Sequence, residues 1–171
     1  NVFVIAEIGN NHNGSLQLAL EMVDSAVEAG ADCVKFQMRN MASVYRKKSL
    51  DKQGEDLGTE YILDLLERFQ LSTDEHREVA EYCISKEILY MCTPWDSSSV
   101  DTLEKFKIPA YKVASADLTN LPLIDRLVTT KKPLILSTGM STESEIQVTV
   151  DFLNKREASY VLLHCNSTYP A

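Results

Sequence analysis

The chain has 171 residues, 44% of them hydrophobic and 25% charged, which is enough to bury the core of one globular domain. Its formal net charge of −8 argues against general nucleic-acid binding. No segment approaches the roughly 20 apolar residues of a membrane span, and no signal peptide is visible. Four widely spaced cysteines without CxxC spacing predict neither a disulfide framework nor a zinc site, so we expect a reducing, cytoplasmic location.

Six short apolar runs predict strands at about 2–6, 32–37, 89–92, 111–114, 134–136 and 160–164. Apolar residues at three- and four-residue steps predict helices at about 15–29, 59–69, 72–86, 97–106, 121–130 and 142–154. Capping boxes open the third and the last of these helices, and Ser97 or Ser98 is expected to cap the fourth. The polar stretch 38–58 is too long for an ordinary connection, so we expect a lid or covering loop there.

The strands from the second onward are almost entirely apolar, which is typical of parallel strands buried on both faces. Six strand–helix repeats fit two architectures. One is a complete open sheet, and the other is a (β/α)8 barrel that is cut off after its sixth strand. The GxGxxG and P-loop signatures of many open sheets are absent from the sequence, and periodicity alone does not choose between the two.

Each apolar run ends in polar or ionisable residues. A parallel sheet or barrel collects the carboxyl ends of its strands on one side, so we expect these side chains to converge there. This pattern indicates an enzyme. The residues concerned are Glu7, Lys35, Gln37, Thr93, Lys112, Ser115, Asp117, Ser137 and the segment 166–169.

Six motifs stand at these strand ends in the order AEIGNNHNG, VKFQ, CTPWD, KVASADLTNLPLI, LSTGM and LHCNSTYP. Together, from Val2 to Pro170, they resemble the N-terminal barrel of the sialic acid synthase family. The resemblance implies an α/β fold, a (β/α)8 TIM barrel of which about six βα units are present. It implies that residues 1–171 are the first part of the barrel domain, with further strands and a small antifreeze-like domain expected beyond them.

The resemblance also implies an activity, the condensation of phosphoenolpyruvate with an N-acetylhexosamine to give a nine-carbon sugar acid and phosphate. Phosphoenolpyruvate would bind at two lysines and several hydroxyls, which suit a phosphate and a carboxylate. The positions that match are Lys35, Thr93, Lys112, Ser115, Ser137 and Ser167. Asn166 is an alternative to Ser167, and a lone strand-end lysine such as Lys112 could also be a surface residue.

Glu7 matches a glutamate that is assigned acid–base work on water, and we expect partial burial to raise its pKa. The alternative role for Glu7 is to accept hydrogen bonds from the loop that follows it. Gln37, Asp117 and Tyr169 match positions that contact the sugar, although Asp117 stands where the family commonly has glutamate. Structural roles for Gln37 and Tyr169 remain open, because a polar loop residue and a half-buried aromatic are ordinary features.

A divalent metal, Mn²⁺ or Mg²⁺, is implied, with ligands expected beyond residue 171 and none within this chain. Small-molecule substrates and a homodimer of the full-length protein are implied as well. Two other functions remain open, a Schiff-base aldolase that uses Lys112 and a non-catalytic sugar- or phosphate-binding module. His12 is expected to serve loop structure, and the sequence suggests no partner for His76.

Overall fold

The computed structural model describes residues 2–45 and 65–167. By its internal contacts the chain divides into two compact units, residues 1–90 and 91–171. Most of the predicted 59–69 helix and of the 38–58 stretch lies outside the described residues, as does Tyr169, although residues 65–68 are helical. None of the helices that the structure describes is long and apolar enough to cross a bilayer.

The first unit alternates strands and helices. Its elements are β1 (Ile5–Gly9), α1 (Leu16–Glu28), β2 (Cys33–Met38), the short α2 (Met41–Val44) and α3 (Thr73–Ser85), after which β3 (Leu89–Pro94) begins. β1 and β2 pair in parallel. The backbone N–H of Leu89 donates to the carbonyl of Asp32, so β3 starts beside the residue that precedes β2.

β1 begins and ends three residues later than predicted. The ladder with β2 starts where Ile5 pairs with Cys33, and this pairing leaves Val2 and Phe3 exposed before it. Glu7 pairs with Lys35 and Gly9 with Phe36, so the register shifts by one residue between them. This β-bulge re-aims the strand end, and the positive φ of Gly9, 57°, suits a residue without a side chain.

The helices of the first unit follow the sequence signals closely. Ser15 caps α1 by accepting the N–H of Leu18, and Gly30, with a φ of 74°, follows its last turn. α3 carries the predicted capping box, in which Ser72 and Glu75 each accept a backbone N–H from the other. Both helices therefore begin and end within one or two residues of the predicted positions.

The second unit continues β3 and adds three more βα repeats. Its elements are α4 (Ser97–Leu103), a 3-10 turn (Glu104–Phe106), β4 (Tyr111–Val113), a 3-10 turn (Ser115–Asp117), α5 (Leu121–Val128), β5 (Leu134–Ser137), α6 (Glu143–Lys155) and β6 (Tyr160–Leu163). β3 pairs with β4, β4 with β5 and β5 with β6, all in parallel. The strand sequence is thus the α/β pattern that the apolar runs predicted.

Two expectations for this unit are wrong. Asp96, and neither Ser97 nor Ser98, caps α4, because its carboxylate accepts the backbone N–H of Ser99 at 2.9 Å and the Ser99 hydroxyl at 2.7 Å. β6 is not buried on both faces, since Val161 is 56% exposed. Within the described part of the second unit β6 pairs with β5 alone, which leaves its apolar side chains uncovered.

Candidate active site

One face of β2 carries the first group of predicted site residues. Side chains alternate along a strand, so Lys35 and Gln37 share a face while Phe36 points to the other. Lys35 is buried, and its Nζ lies 2.8 Å from Oε1 of Glu7 on the neighbouring strand. The ion pair joins the two residues that the parallel ladder sets side by side.

Glu7 is only partly buried. Its side chain is 55% exposed, and it pairs with Lys35. Glu7 lies inside β1 before the bulge, and its carboxylate faces the side of the ladder opposite to the packed Phe36. A partly solvated carboxylate beside an ammonium can hold a proton-transfer role, but the pair with Lys35 is the contact the structure shows.

Arg39, just beyond β2, is a residue that the sequence did not single out. It is buried, and its guanidinium donates to Oε1 of Gln37 at 2.6 Å. The Gln37 amide is therefore held by a cation. An arginine that follows a strand gives no sequence signal of this contact, because the contact depends on the turn into α2.

Gly9 is the point at which β1 approaches two of the predicted site residues, Glu7 and Gln37. A Cβ placed on Gly9 would lie 3.0 Å from Oε1 of Glu7 and 3.5 Å from Nε2 of Gln37. The missing side chain leaves room for a carboxylate oxygen and an amide nitrogen at the end of the strand. The bulge and the glycine together shape this corner of the unit.

Behind this face lies a buried layer of two histidines and two aromatic rings. Phe36 packs against His12, His76 and Tyr90, with ring centroids 5.9, 6.3 and 5.6 Å away. Nδ1 of His76 lies 2.9 Å from the Tyr90 hydroxyl, so His76 has the partner that the sequence did not suggest. The layer supports Phe36, which alternates with Lys35 and Gln37 along β2.

Both histidines also hold backbone groups at the strand ends. Nδ1 of His12 accepts the N–H of Gly14 at 3.1 Å, and the ring hydrogen-bonds the backbone of Gly9. The ring of His76 hydrogen-bonds the backbone of Gln37. Burial lowers the pKa of His12, and it lowers the pKa of His76 to about 4, so both rings are neutral near pH 7.

In the second unit, Lys112 on β4 reaches the neighbouring strand. Its Nζ donates to the hydroxyl of Ser137 at 2.5 Å and to the backbone carbonyl of Val113 at 2.7 Å. Lys112 pairs with Ile135 in the ladder, two residues before Ser137. The structure thus brings together two residues that the motifs predicted for one anion site.

Two more predicted hydroxyls meet over Gly139. A Cβ built on Gly139 would lie 2.7 Å from Oγ of Ser167 and 2.9 Å from Oγ of Ser115. Ser115 follows β4 and Ser167 follows β6, so the turn at Gly139 after β5 lies between them. We call Lys112, Ser115, Ser137, Gly139 and Ser167 the serine cluster.

Several hydrogen-bond donors of the serine cluster surround the thiol of Cys165. Burial opposes ionisation of its thiol, but hydrogen bonds from the Ser137 hydroxyl, the Gly139 N–H and the Ser115 hydroxyl outweigh burial and lower its pKa. Donors that stabilise a thiolate are of the kind that stabilises a phosphate or carboxylate oxygen. Neither Gly139 nor Cys165 was singled out from the sequence.

Asp117 lies next to this cluster in the chain. Its Oδ1 accepts a hydrogen bond from Asn120 at 2.9 Å, whereas its buried Oδ2 has no hydrogen-bond partner among the described residues. Burial raises the pKa of this carboxyl, and the bond from Asn120 only partly opposes the rise. An unsatisfied carboxyl oxygen is suited to a ligand hydroxyl.

Two predicted site residues, Thr93 and Tyr169, remain less defined. Thr93 is buried at the end of β3, before Pro94. Tyr169 lies outside the described residues, and the meeting of Lys35 with Lys112 stays a prediction. Within residues 2–45 and 65–167, no group of three histidine, cysteine or acidic side chains could hold a metal ion.

Comparison with known proteins identifies the family. The sequence pattern of the NeuB family matches residues 22–171. The chain belongs to the NeuB family. The N,N'-diacetyllegionaminic acid synthase of Legionella pneumophila is 38% identical over 99% of this chain and 50% of its own length. Protein MJ1065 of Methanocaldococcus jannaschii is 41% identical over 98% of this chain and 47% of its own length.

The fold is shared with a solved structure. The N-acetylneuraminic acid (sialic acid) synthetase of Leptospira borgpetersenii, solved with citrate, superimposes with a TM-score of 0.87 at 34% identity, over 99% of this chain and 56% of that one. The predicted fold class, an α/β (β/α)8 barrel of which about six βα units are present, is confirmed. The chain spans about half the length of the curated relatives it matches.

Proposed function

We propose that the protein condenses phosphoenolpyruvate with an N-acetylhexosamine, resembling N-acetylmannosamine, to form a sialic acid-type nine-carbon sugar acid and phosphate. The observation that carries the proposal is the serine cluster, in which Ser115 and Ser167 meet over Gly139 and Lys112 donates to Ser137. Relatives named N,N'-diacetyllegionaminic acid synthase and N-acetylneuraminate-9-phosphate synthase support the reaction class. The residues beyond this chain would supply the rest of the barrel, an antifreeze-like domain and the homodimer contacts.

The serine cluster is proposed to hold the anionic ends of phosphoenolpyruvate. Lys112 supplies a positive charge, and Ser115, Ser137 and Ser167 supply hydroxyl donors. The depressed pKa of the Cys165 thiol supports this assignment, since it reports donors aimed at one point in space. Thr93 and Lys35 are proposed to bind phosphoenolpyruvate as well, Lys35 through its buried ammonium.

The chemistry forms one carbon–carbon bond and releases one phosphate. Carbon 3 of phosphoenolpyruvate attacks the sugar aldehyde, and water then adds at carbon 2. Loss of phosphate by C–O cleavage leaves the 2-keto acid. Glu7 is proposed to take the proton from the attacking water, while Lys35, 2.8 Å from it, holds the carboxylate in place.

Gln37, Asp117 and Tyr169 are proposed to contact the sugar. The unsatisfied Oδ2 of Asp117 supports its part, because a sugar hydroxyl can satisfy it. A divalent metal, Mn²⁺ or Mg²⁺, is proposed to bind at residues beyond this chain, where it would polarise the aldehyde oxygen. The protein is proposed to act in the cytoplasm on small-molecule substrates.

The test measures phosphate release by the complete natural protein. It receives phosphoenolpyruvate, Mn²⁺ and one of several sugars, namely N-acetylmannosamine, its 6-phosphate, or a diacetamido hexose. We expect release with one of them and a nine-carbon acid in the product. Absence of phosphate release with every sugar would reject the proposal.

The Schiff-base alternative predicts a covalent bond between Lys112 and pyruvate. The Lys112 Nζ donates hydrogen bonds to the Val113 carbonyl and the Ser137 hydroxyl, and the proposed anion site uses its charged form. A Schiff-base lysine must instead attack in its neutral form. Borohydride reduction in the presence of pyruvate should therefore leave the mass of Lys112 peptides unchanged, and an adduct there would favour the aldolase.

A further inference from the structure

Gln37 stands at the end of β2, and two separate contacts hold it. The ring of the buried His76 hydrogen-bonds its backbone, and the buried Arg39 donates to its side-chain Oε1 at 2.6 Å. The first contact fixes the main chain. The second fixes the side chain and decides in which direction the amide oxygen and the amide nitrogen point.

A guanidinium only donates hydrogen bonds. Arg39 can therefore bind the oxygen of the Gln37 amide but never its nitrogen. The opposite orientation would set N–H groups against N–H groups beside a buried positive charge. The amide nitrogen is consequently directed away from Arg39 and towards Gly9, where it lies 3.5 Å from the position of a Cβ on that glycine.

Next to that position lies the carboxylate of Glu7, whose Oε1 is 3.0 Å from the same point. This corner of the first unit therefore combines an amide donor with a carboxylate acceptor. An unrestrained glutamine could turn either end of its amide towards a ligand and would recognise donors and acceptors alike. Restraint by Arg39 leaves one choice.

We infer that Arg39 is a positioning residue that locks the Gln37 amide with its nitrogen facing Gly9 and Glu7, so that Gln37 selects a ligand oxygen that accepts hydrogen bonds. The inference rests on the proposed function in one respect, namely that this oxygen belongs to the acceptor sugar. A carbonyl or hydroxyl oxygen of an N-acetylhexosamine has the required chemistry. The orientation itself needs no substrate.

The first test is therefore made without substrate. In the complete natural protein labelled with ¹⁵N-glutamine, the side-chain amide protons of Gln37, assigned with the Gln37→Ala variant, should show a nuclear Overhauser effect to an α-proton of Gly9. Arg39→Met should weaken or abolish it. Arg77→Met is the matched control, because Arg77 is half exposed on α3 and pairs with Asp74. An unchanged signal in Arg39→Met would overturn the inference.

The second test is a double-mutant cycle in steady-state kinetics. Arg39→Met should raise the KM for the sugar about three- to tenfold, the effect of one misdirected hydrogen bond, and leave the KM for phosphoenolpyruvate unchanged. In a Gln37→Ala background it should change neither, because its effect passes through Gln37. An equal effect in both backgrounds would overturn the positioning role.

Gln37→Glu separates orientation from simple loss of contact. The carboxylate keeps an acceptor for Arg39 but offers no N–H, so the sugar KM should rise while the thermal midpoint is retained. If Arg39→Met alters the Gly9 signal and the sugar KM stays at the wild-type value, the orientation by Arg39 is supported and the sugar contact of the proposed function is rejected.

Discussion

Lys112 and Ser137 are joined by a hydrogen bond between strand ends that lie 25 positions apart in the chain. The parallel β4–β5 ladder makes this contact possible, because it sets Lys112 opposite Ile135, two residues before Ser137. The hydroxyl of Ser137 in turn reaches the Cys165 thiol, which follows β6. Contacts through Ser137 thus connect Lys112 on β4 with Cys165 after β6, across three successive strands.

Replacing Lys112 by methionine should weaken phosphoenolpyruvate binding. The change removes the ammonium from the serine cluster and keeps most of the apolar stem. Since a hydrogen bond to a charged group contributes about 1.5–3 kcal/mol, the KM for phosphoenolpyruvate should rise at least about tenfold. Steady-state phosphate release measures it. Lys105→Met, at an exposed position on the 3-10 turn after α4, is the control and should leave the KM unchanged.

Replacing Gly139 by alanine should disrupt the same cluster by steric contact. The new methyl group would lie 2.7 Å from Oγ of Ser167 and 2.9 Å from Oγ of Ser115, so both serines must move. We expect roughly a tenfold or greater rise in the KM for phosphoenolpyruvate, the cost of misplacing two hydroxyl donors. Binding measured by calorimetry should fall in parallel.

Gly30→Ala provides the contrast for that prediction. Gly30 has a φ of 74° after α1 and open space around it, so alanine there strains only the backbone. The variant should lose about 1 kcal/mol of stability and keep its KM. If Gly139→Ala instead behaves like Gly30→Ala, with lower stability and unaltered binding, the serine cluster is not the anion site.

Local sequence signals were sufficient for most of the helices and strands. The capping boxes at Ser72 and Thr142 act within four residues, so a short stretch of sequence contains all the information that they need. The cap of α4 was missed because Asp96, Ser97 and Ser98 all qualify as caps. The geometry of the turn after Pro94 decides among them, and no local pattern encodes it.

The site residues that belong to a sequence motif were predicted. Those that only the path of the folded chain brings to the site were missed. Ser115, Ser137 and Ser167 were expected together, and the structure brings Ser115 and Ser167 to Gly139. The contact of Arg39 with Gln37 was not foreseen, since it depends on the path of the chain beyond β2. The bulge in β1 also escaped prediction, because the strand is apolar almost throughout and an extra residue interrupts no visible alternation.

Asp117→Asn should raise stability near neutral pH. Burial raises the pKa of the Asp117 carboxyl above its unfolded value, so the charged form destabilises the fold at pH values above that unfolded value. The isosteric amide keeps an oxygen for Asn120 and removes the charge. We expect a gain of less than about 1 kcal/mol, because the amide nitrogen takes the place of the buried Oδ2, which has no partner within the described residues, and the unmade hydrogen bonds of that nitrogen offset part of the gain.

Chemical unfolding of Asp117→Asn and the wild type at pH 7 and below measures this gain. The difference should shrink as the pH falls and the wild-type carboxyl becomes protonated. The same variant should bind the sugar less tightly, because it loses a carboxylate acceptor. A variant that is less stable than the wild type at pH 7 would show that Oδ2 has a stabilising partner.

His76 should make the protein progressively less stable in mild acid. Burial lowers its pKa from 6.5 to about 4, so the folded state keeps the ring neutral while the unfolded state binds a proton below pH 6.5. Above pH 6.5 the ring is neutral in both states and the lowered pKa costs no stability. The cost grows as the pH falls towards 4. Its size is on the order of 2–3 kcal/mol over this range.

His76→Gln tests the origin of that loss. The glutamine amide can still donate to the Gln37 carbonyl and accept from the Tyr90 hydroxyl, but it does not titrate. At pH 7 the variant should be less stable by about 1–2 kcal/mol, because the shorter contacts of the ring are imperfectly replaced. Between pH 6.5 and 4.5 the two free energies of unfolding should converge and then cross, since only the wild type carries the cost of the titrating His76. His12 and Glu75, the titratable groups that act on His76, remain in both proteins and cancel in the difference.

Denaturant titrations at half-unit pH steps measure the difference in the free energy of unfolding, with His164→Gln at an exposed position as the control. Parallel curves for wild type and His76→Gln would mean that the acid sensitivity arises elsewhere.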